Sequence, residues 1–231
     1  MAIRINYLGH ASFILTVNKK NILTDPYFHS KKVGKYNRLV DCSTKVTDLP
    51  KIDVVLISHE HFDNFDLDSV NYLVKKFNPK IVAHQSVLNK ISNCDNQNKI
   101  DLNEFQTKTV NDISFTAYPA HHPASFYPLS YIISNNKDSI YFAGDTNMTK
   151  EHGDIKPDIA FLPIGGGEST MDVGSAIRVA KQMKPKLLIP MKFNTFKEIE
   201  QNPLVLKDKL DSARTPIKTV ILEPGKSYNY K

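Results

Sequence analysis

The chain of 231 residues is long enough for one sizeable core, and its 41% hydrophobic and 23% charged residues are ordinary for a packed globular protein. The net charge of +6 comes from scattered lysines without a long basic run, which argues against a dedicated nucleic-acid module. From this length we expect one domain over residues 1–231. Two cysteines exclude a disulfide framework and no apolar run is long enough to span a membrane, so we expect the protein in the cytoplasm.

The first half of the chain is predicted to open with a β-meander. Its first three strands are predicted at residues 3–8, 12–17 and 22–24. Residues 26–50 show no clear period, which predicts a long loop that we interpret as a flap over the substrate. The apolar run at 54–57 is typical of a strand buried on both faces. A helix is predicted to begin after Asp66 as N-cap and to end at Asn78.

Strands and helices are predicted to alternate through much of the remaining chain. Strands are predicted at 81–83, within 99–120, and at 129–134, 139–143, 159–163, 187–190 and 219–222. Helices are predicted after Gln85, after Asp172 and over 203–210. A meander followed by alternating strands and helices indicates two sheets flanked by helices.

The strongest chemical signal is a His-x-His-x-Asp segment that follows the predicted strand at 54–57. His59 and His61 are two residues apart, so an extended backbone points both imidazoles to the same side, and Asp63 continues that alternation. A zinc site needs three or four such ligands, which directs the search to other polar residues at strand ends.

Two further candidate ligands each follow a predicted strand. His121 follows the strand that ends near residue 120, and Asp145 follows Gly144 at the end of another. His122 is expected to point the other way and to be structural or to face the substrate. His152 lies in a predicted loop and is expected to be solvated.

Seven motifs occur in order along nearly the whole chain. They are Gly9-His10-Ala11-Ser12-Phe13, Thr24-Asp25-Pro26, His59-x-His61-x-Asp63, Ala120-His121, Gly144-Asp145-Thr146, Leu162-Pro163-Ile164-Gly165 with Thr170-Met171, and Pro190-Met191-x-Phe193-Asn194-Thr195-Phe196. This set resembles the metallo-β-lactamase superfamily, specifically its small lactonase-like branch, which is also similar to ascorbate-phosphate lactonases and N-acyl-phosphatidylethanolamine phospholipase D. The resemblance implies an α/β (α+β) fold, a four-layer αββα sandwich, and a metal-dependent hydrolase.

The resemblance also implies a set of metal ligands. It places His59, His61 and His121 on one metal, Asp63 with two further histidines on a second, and Asp145 between them. Two positions depart from the family pattern: Asn64 follows Asp63 where the family has histidine, and Lys192 stands where the branch usually has histidine. Asparagine is a poor ligand and an ammonium cannot ligate. We therefore predict one metal ion per chain, zinc first, with manganese, iron or nickel as alternatives.

The predicted reaction uses a metal-activated water on an ester, a lactone or a phosphodiester. Asp63 is the predicted group that orients or deprotonates the water, and Lys192 is predicted to place its charge in the vacated second site, near the developing oxyanion. The expected partner is a small molecule, and the positive net charge would favour an anionic one.

Other interpretations stay open at this stage. The replacements at Asn64 and Lys192 also fit a non-catalytic metal-binding or interaction protein derived from the same fold. A nuclease of the same superfamily is a third interpretation, although no added nucleic-acid domain is evident. The oligomeric state is open, with a homo-oligomer as one option.

Overall fold

A computed structural model describes residues 3–29 and 32–230, and over these residues it contains two seven-stranded sheets flanked by helices. The first six strands are β1 Ile3–Gly9, β2 Ser12–Val17, β3 Lys20–Thr24, β4 Val54–Leu56, β5 Lys80–Ala83 and β6 Lys99–Asp101. The next four are β7 Thr107–Val110, β8 Ile113–Pro119, β9 Leu129–Ser134 and β10 Ser139–Phe142. The last four are β11 Ile159–Pro163, β12 Leu187–Met191, β13 Lys218–Thr219 and β14 Ser227–Tyr230.

The helices are α1 Leu67–Phe77, α2 Gln85–Leu88, α3 Val173–Met183 and α4 Pro203–Ser212. The first sheet has the order β14-β1-β2-β3-β4-β5-β6, and the second has the order β13-β12-β11-β10-β9-β8-β7. In the described part of the chain, no helix is long and apolar enough to cross a membrane.

Strand direction brings several carboxyl ends to the same edge of each sheet. In the first sheet β1, β2 and β3 are antiparallel and β3 to β6 are parallel, so β1, β3 and β4 point the same way. In the second sheet β8, β9 and β10 are antiparallel and β10 to β13 are parallel, so β8, β10 and β12 share one direction. Residues that follow these strands are therefore gathered at one rim.

The alternation of side chains along β4 explains how the layers are held together. Leu56 belongs to the core cluster that includes Phe13 of β2 and Phe161 of β11, whose rings pack edge to face at 4.7 Å. Val55 points to the opposite face and packs in a cluster with Leu73 of α1. A strand buried on both faces explains the continuous apolar run in the sequence.

Most of the predicted elements are confirmed. Asp66 and Asp172 cap α1 and α3 as expected, and each side chain accepts a hydrogen bond from the backbone three residues on. The long loop at 26–50 contains one 3-10 turn at Val46–Asp48 and an isolated bridge between Val33 and Tyr36, while residues 30 and 31 lie outside the described residues.

The structure corrects two of these expectations and adds one strand. The strand predicted at 219–222 is the short β13, and β14, which pairs with β1, was not predicted. His152 is buried rather than solvated, and its Nε2 contacts the Tyr141 hydroxyl at 3.0 Å.

Candidate metal centre

Polar side chains follow four strands at the shared rim. His59 comes just after β4, His122 after β8, Asp145 after β10 and Lys192 directly after β12. The parallel run of these strands within each sheet places all four side chains where the two sheets meet, and all four are buried. The rim therefore gathers His59 and Asp145, which the sequence placed after strands, together with His122 and Lys192.

Three imidazoles form a compact group at this rim. The rings of His59, His61 and His122 lie with their centroids 4.7 to 4.8 Å apart. One ring nitrogen from each lies within 4.8 Å of the nitrogens of the other two, a spacing that fits a single metal ion among them. The predicted proximity of His59 and His61 is thus present in the structure.

The third histidine of the group is His122, whereas the sequence predicted His121. The side chain of His121 is exposed, and its backbone N–H donates to Thr146 Oγ1 at 2.9 Å. Because β8 ends at Pro119, the alternation of an extended strand does not continue through residues 121 and 122. The expectation that His122 points away from the site is therefore wrong.

The hydrogen bonds behind His59 fix its tautomer. Ser58 Oγ donates to Asp25 Oδ2 at 2.7 Å, so it accepts from His59 Nδ1 at 2.8 Å. The proton then sits on Nδ1, and Nε2 presents a lone pair. This Nε2 is buried and has no hydrogen-bond partner among the described residues. Burial also lowers the pKa of His59 to about 3, which keeps the ring neutral.

The same reasoning applies to the other two rings. His61 Nε2 contacts the carbonyl oxygen of Ala124 at 3.2 Å, and His122 Nδ1 contacts that of Ser169 at 2.7 Å. A carbonyl only accepts, so both outer nitrogens carry the proton in the neutral rings. The inner nitrogens, His61 Nδ1 and His122 Nε2, lie 2.9 Å apart and both present lone pairs. Three converging lone pairs fit a cation, which satisfies all of them at once.

Asp145 lies beside this group, in a position to provide a fourth ligand. Its Oδ2 is 3.7 Å from His59 Nε2 and 3.9 Å from His122 Nε2. The preceding Gly144 has a φ of +57°, and a Cβ there would lie 2.5 Å from Ser58 Cβ. Only glycine permits the backbone to pass so close to Ser58. Gly144 thus places Asp145 next to the residue that hydrogen-bonds to His59.

The ammonium group of Lys192 lies between the side chains of Asp63, Asn64 and Asp145, the positions that in the family pattern surround a second metal. Its Nζ donates to Asp63 Oδ2 at 3.0 Å, to Asn64 Oδ1 at 2.9 Å and to Asp145 Oδ2. Lys192 is only 5% exposed. Burial alone would lower its pKa, yet the carboxylates of Asp145 and Asp63 raise it above the usual value, so the group is charged.

Asp63 contacts Lys192 rather than joining the histidine group. Its Oδ2 also lies 3.1 Å from His10 Nε2, which gives His10 a supporting role. Burial opposes ionisation of Asp63, but Lys192 and His10 hold the pKa of its carboxyl well below the usual range. Asp63 is therefore a carboxylate with two polar partners at the rim.

Asn64 connects the two parts of the centre. Its Nδ2 donates to Asp25 Oδ2 at 2.9 Å, and lies 3.4 Å from Asp145 Oδ1. Asp25 therefore supports both His59, through Ser58, and Asn64. The sequence signal for Asp25 was its place in a Thr-Asp-Pro motif, but no role followed from that. His122 had no separate signal beyond its neighbour His121.

A cavity of about 380 Å³ opens onto the centre. Its polar lining includes His61, Asp63, His122, Asp145 and Lys192. The flap predicted at 26–50 contributes Tyr36, and the segment after β12 contributes Phe196. The volume lies within the range of small-molecule sites.

Comparisons with known proteins agree with this fold. A family model described as a beta-lactamase superfamily domain matches residues 4–192. A UPF0173 metal-dependent hydrolase of Pyrococcus furiosus is 33% identical over 239 residues, covering 97% of this chain and 98% of the relative. One of Staphylothermus marinus is 33% identical over 236 residues, covering 98% of each. The structure of Igni18, a metallo hydrolase from Ignicoccus hospitalis, has a TM-score of 0.83 at 26% identity and covers 100% of this chain and 99% of that chain.

These matches and the histidine group define a metal-dependent hydrolase with a two-sheet sandwich fold. The chain belongs to the beta-lactamase superfamily, and within it to the UPF0173 metal-dependent hydrolases. Membership favours an enzyme over the non-catalytic alternative. An isothiocyanate hydrolase from Delia radicum gut bacteria shares the fold, with a TM-score of 0.78 at 15% identity, covering 97% of this chain and 98% of that chain.

Proposed function

We propose that this chain hydrolyses a small ester-type substrate, namely an ester, a lactone or a phosphodiester, at a centre that holds one divalent cation. The observation that carries the proposal is that a group of three histidines lies beside a buried lysine. Three imidazole lone pairs converge beside Asp145, while the ammonium of Lys192 lies among the oxygens of Asp63, Asn64 and Asp145. The first arrangement suits a cation, and the second already holds a positive charge.

The proposed ligands are His59, His61, His122 and Asp145. Imidazole and carboxylate ligands suit zinc, and they also accept manganese, iron or nickel. When bound, such a cation acts as a Lewis acid toward the substrate and makes water more acidic.

Asp63 is the proposed group that orients the attacking water. Its carboxylate lines the cavity, and its pKa is held low by Lys192, which favours accepting a hydrogen bond over keeping a proton. Lys192 has three N–H donors and contacts three oxygens. It therefore stabilises a developing oxyanion through its charge while its hydrogen bonds hold the two carboxylates in place.

Two finer expectations remain proposals. The narrower resemblance to lactonases supports a cyclic ester as one substrate. Cys42 and Cys94 are free thiols, which supports a reducing compartment such as the cytoplasm.

Hydrolysis of chromogenic esters, lactones and phosphodiesters tests the proposal. The wild-type protein would be stripped with a chelator and reloaded with zinc, manganese, iron or nickel. We expect turnover that depends on the cation and that falls by at least about a hundredfold in His59→Ala and Asp63→Ala. Turnover that is unchanged by chelation or by His59→Ala would contradict the proposal.

A further inference from the structure

The described lining of the cavity contains more carboxylates than ammonium groups. Its described lining contains the carboxylates of Asp63, Asp145 and Glu198 and one ammonium, that of Lys192. The outer ring nitrogens of His61 and His122 contact the backbone carbonyls of Ala124 and Ser169. Three carboxylates therefore line the described cavity beside one ammonium.

The only ammonium among these described lining residues is fully engaged. All three donors of Lys192 are used by Asp63, Asn64 and Asp145. Glu198 is exposed where it lines the cavity, so it adds negative charge on the solvent side. Lys35 lies nearby, with its Nζ 5.3 Å from the centre of the Tyr36 ring, but it is exposed and outside the lining. An anionic group would therefore find no free cationic side chain among the described lining residues.

The apolar part of the cavity lining is an aromatic wall made of Tyr36, Phe62 and Phe196. The ring centroids of Tyr36 lie 5.7 Å from Phe62 and 5.5 Å from Phe196, and those of Phe62 and Phe196 are 6.2 Å apart. All three rings line the cavity, together with Pro123, Ala124 and Ile199. Aromatic rings in such contact offer a rigid apolar surface to a ligand.

We infer that the substrate is an uncharged acyl compound whose apolar alkyl or aryl group packs on the aromatic wall. Anionic substrates are selected against by the carboxylate of Glu198, because the described lining offers no free cationic side chain to offset it. This inference rests on the proposed function for its reaction. It narrows the substrate from any ester-type compound to neutral esters, including lactones. The positive net charge of the chain, which favoured an anionic partner, does not extend into the cavity.

The first arm of the test compares two esters with the same leaving group and the same chain length. They are para-nitrophenyl hexanoate, which is neutral, and the para-nitrophenyl monoester of adipate, which carries a remote carboxylate. We expect the neutral ester to have a kcat/KM at least about tenfold higher. Glu198→Lys should lower this ratio at least about threefold, because it reverses a charge on the cavity wall. Glu200→Lys, a change at another exposed glutamate that lies outside this lining, should leave the ratio within about twofold.

The second arm measures binding without turnover. Calorimetry would compare hexananilide with the monoanilide of adipate, the amide counterparts of the two esters. We expect tighter binding of the neutral anilide, weakened at least about fivefold by Phe62→Ala. Phe126→Ala removes a ring that is 77% exposed and outside the lining, so it should leave the affinity unchanged.

The two arms separate the two proposals. If the neutral anilide binds more tightly but no ester is turned over with any metal, the hydrolysis proposed above fails while the neutral, apolar character of the site stands. If both anilides bind equally, or the anionic one binds better, the inference is overturned even where hydrolysis is observed. A hexanoate-to-adipate ratio near one in the wild type would overturn it as well.

Discussion

The Nζ of Lys192 lies 3.0 Å from Oδ2 of Asp63, although 129 residues separate the two positions. One residue follows β12 in the second sheet and the other follows the end of β4 in the first, so the contact joins the two sheets at the rim. A buried ammonium is thereby paired with a buried carboxylate. The ammonium of Lys192 therefore neutralises part of the negative charge of the centre, which affects the charge of the ligands that the centre can bind.

Removing the charge of Lys192 should destabilise the metal-free protein. Lys192→Met would leave Asp63 and Asp145 buried without their cation, and loss of one partner of a buried pair costs about 3–5 kcal/mol. Urea unfolding in chelator would measure the loss. Lys186→Met is the matched control, because the Lys186 side chain is 72% exposed and its 2.8 Å contact with Asp158 is on the surface. Equal losses in the two variants would show that Lys192 does not compensate buried charge.

Replacing His121 or His122 by alanine should have opposite effects on the stabilisation of the protein by zinc. A ligand at a hundred times its Kd stabilises a protein by about 2.7 kcal/mol, which thermal unfolding detects as a raised Tm. His122→Ala should abolish most of the Tm increase caused by zinc, since it removes one of three converging nitrogens. His121→Ala should retain the increase, because the side chain of His121 is exposed. The reverse pattern would support His121 as the ligand.

Adding one methyl group at Gly144 should disturb the support of His59. The new Cβ would lie 2.5 Å from Ser58 Cβ, and the φ of +57° is unfavourable for alanine. Gly144→Ala should reduce the free energy of unfolding by about 1–3 kcal/mol and weaken zinc binding. Gly153→Ala is the control, since nothing lies within 4 Å of its added Cβ. Unchanged zinc affinity in Gly144→Ala would contradict the role of Ser58.

The buried His152 should contribute to acid sensitivity. Burial lowers its pKa from the ordinary 6.5, and its Nδ1 accepts the backbone N–H of Thr149 at 2.9 Å, so the folded state holds it neutral. Its stabilisation is therefore full above pH 6.5 and is lost as the pH falls toward the folded pKa. His152→Gln should reduce the slope of unfolding free energy against pH below 6.5 by at most about 1.4 kcal/mol per unit.

This slope is best measured with chelator present. His10, His59 and His122 also have pKa values lowered by burial, so they contribute in both proteins, and the difference isolates His152. Identical slopes for the wild type and His152→Gln would indicate that His152 does not titrate with unfolding.

The sequence predicted the strongly apolar elements well, because burial on both faces leaves a plain pattern. The β4 run and the capped helices α1 and α3 are examples. The last strand, β14, has no fully buried residue and is held by pairing with β1. A short strand at the edge of a sheet is specified by its partner, and its own residues give little sign of it.

The site residues were also predicted only in part from the sequence. Strand ends indicated His59, His61 and Asp145, and the departure of Lys192 from the family pattern indicated a positive charge near Asp63. The choice between His121 and His122 depends on backbone contacts beyond β8, including the bond from His122 Nδ1 to the carbonyl of Ser169, 47 residues away. Such a contact is made in the folded chain and has no local pattern in the sequence.

The number of metal ions per chain tests the central claim most directly. Purified wild-type protein would be saturated with zinc, dialysed against metal-free buffer and analysed for zinc by mass spectrometry. Asn64→His combined with Lys192→His should bind more zinc than the wild type, and Lys209→His, an exposed lysine on α4, should not. For the wild type we predict one equivalent per chain; two tightly bound equivalents would contradict the assignment of Lys192 to the second cation position.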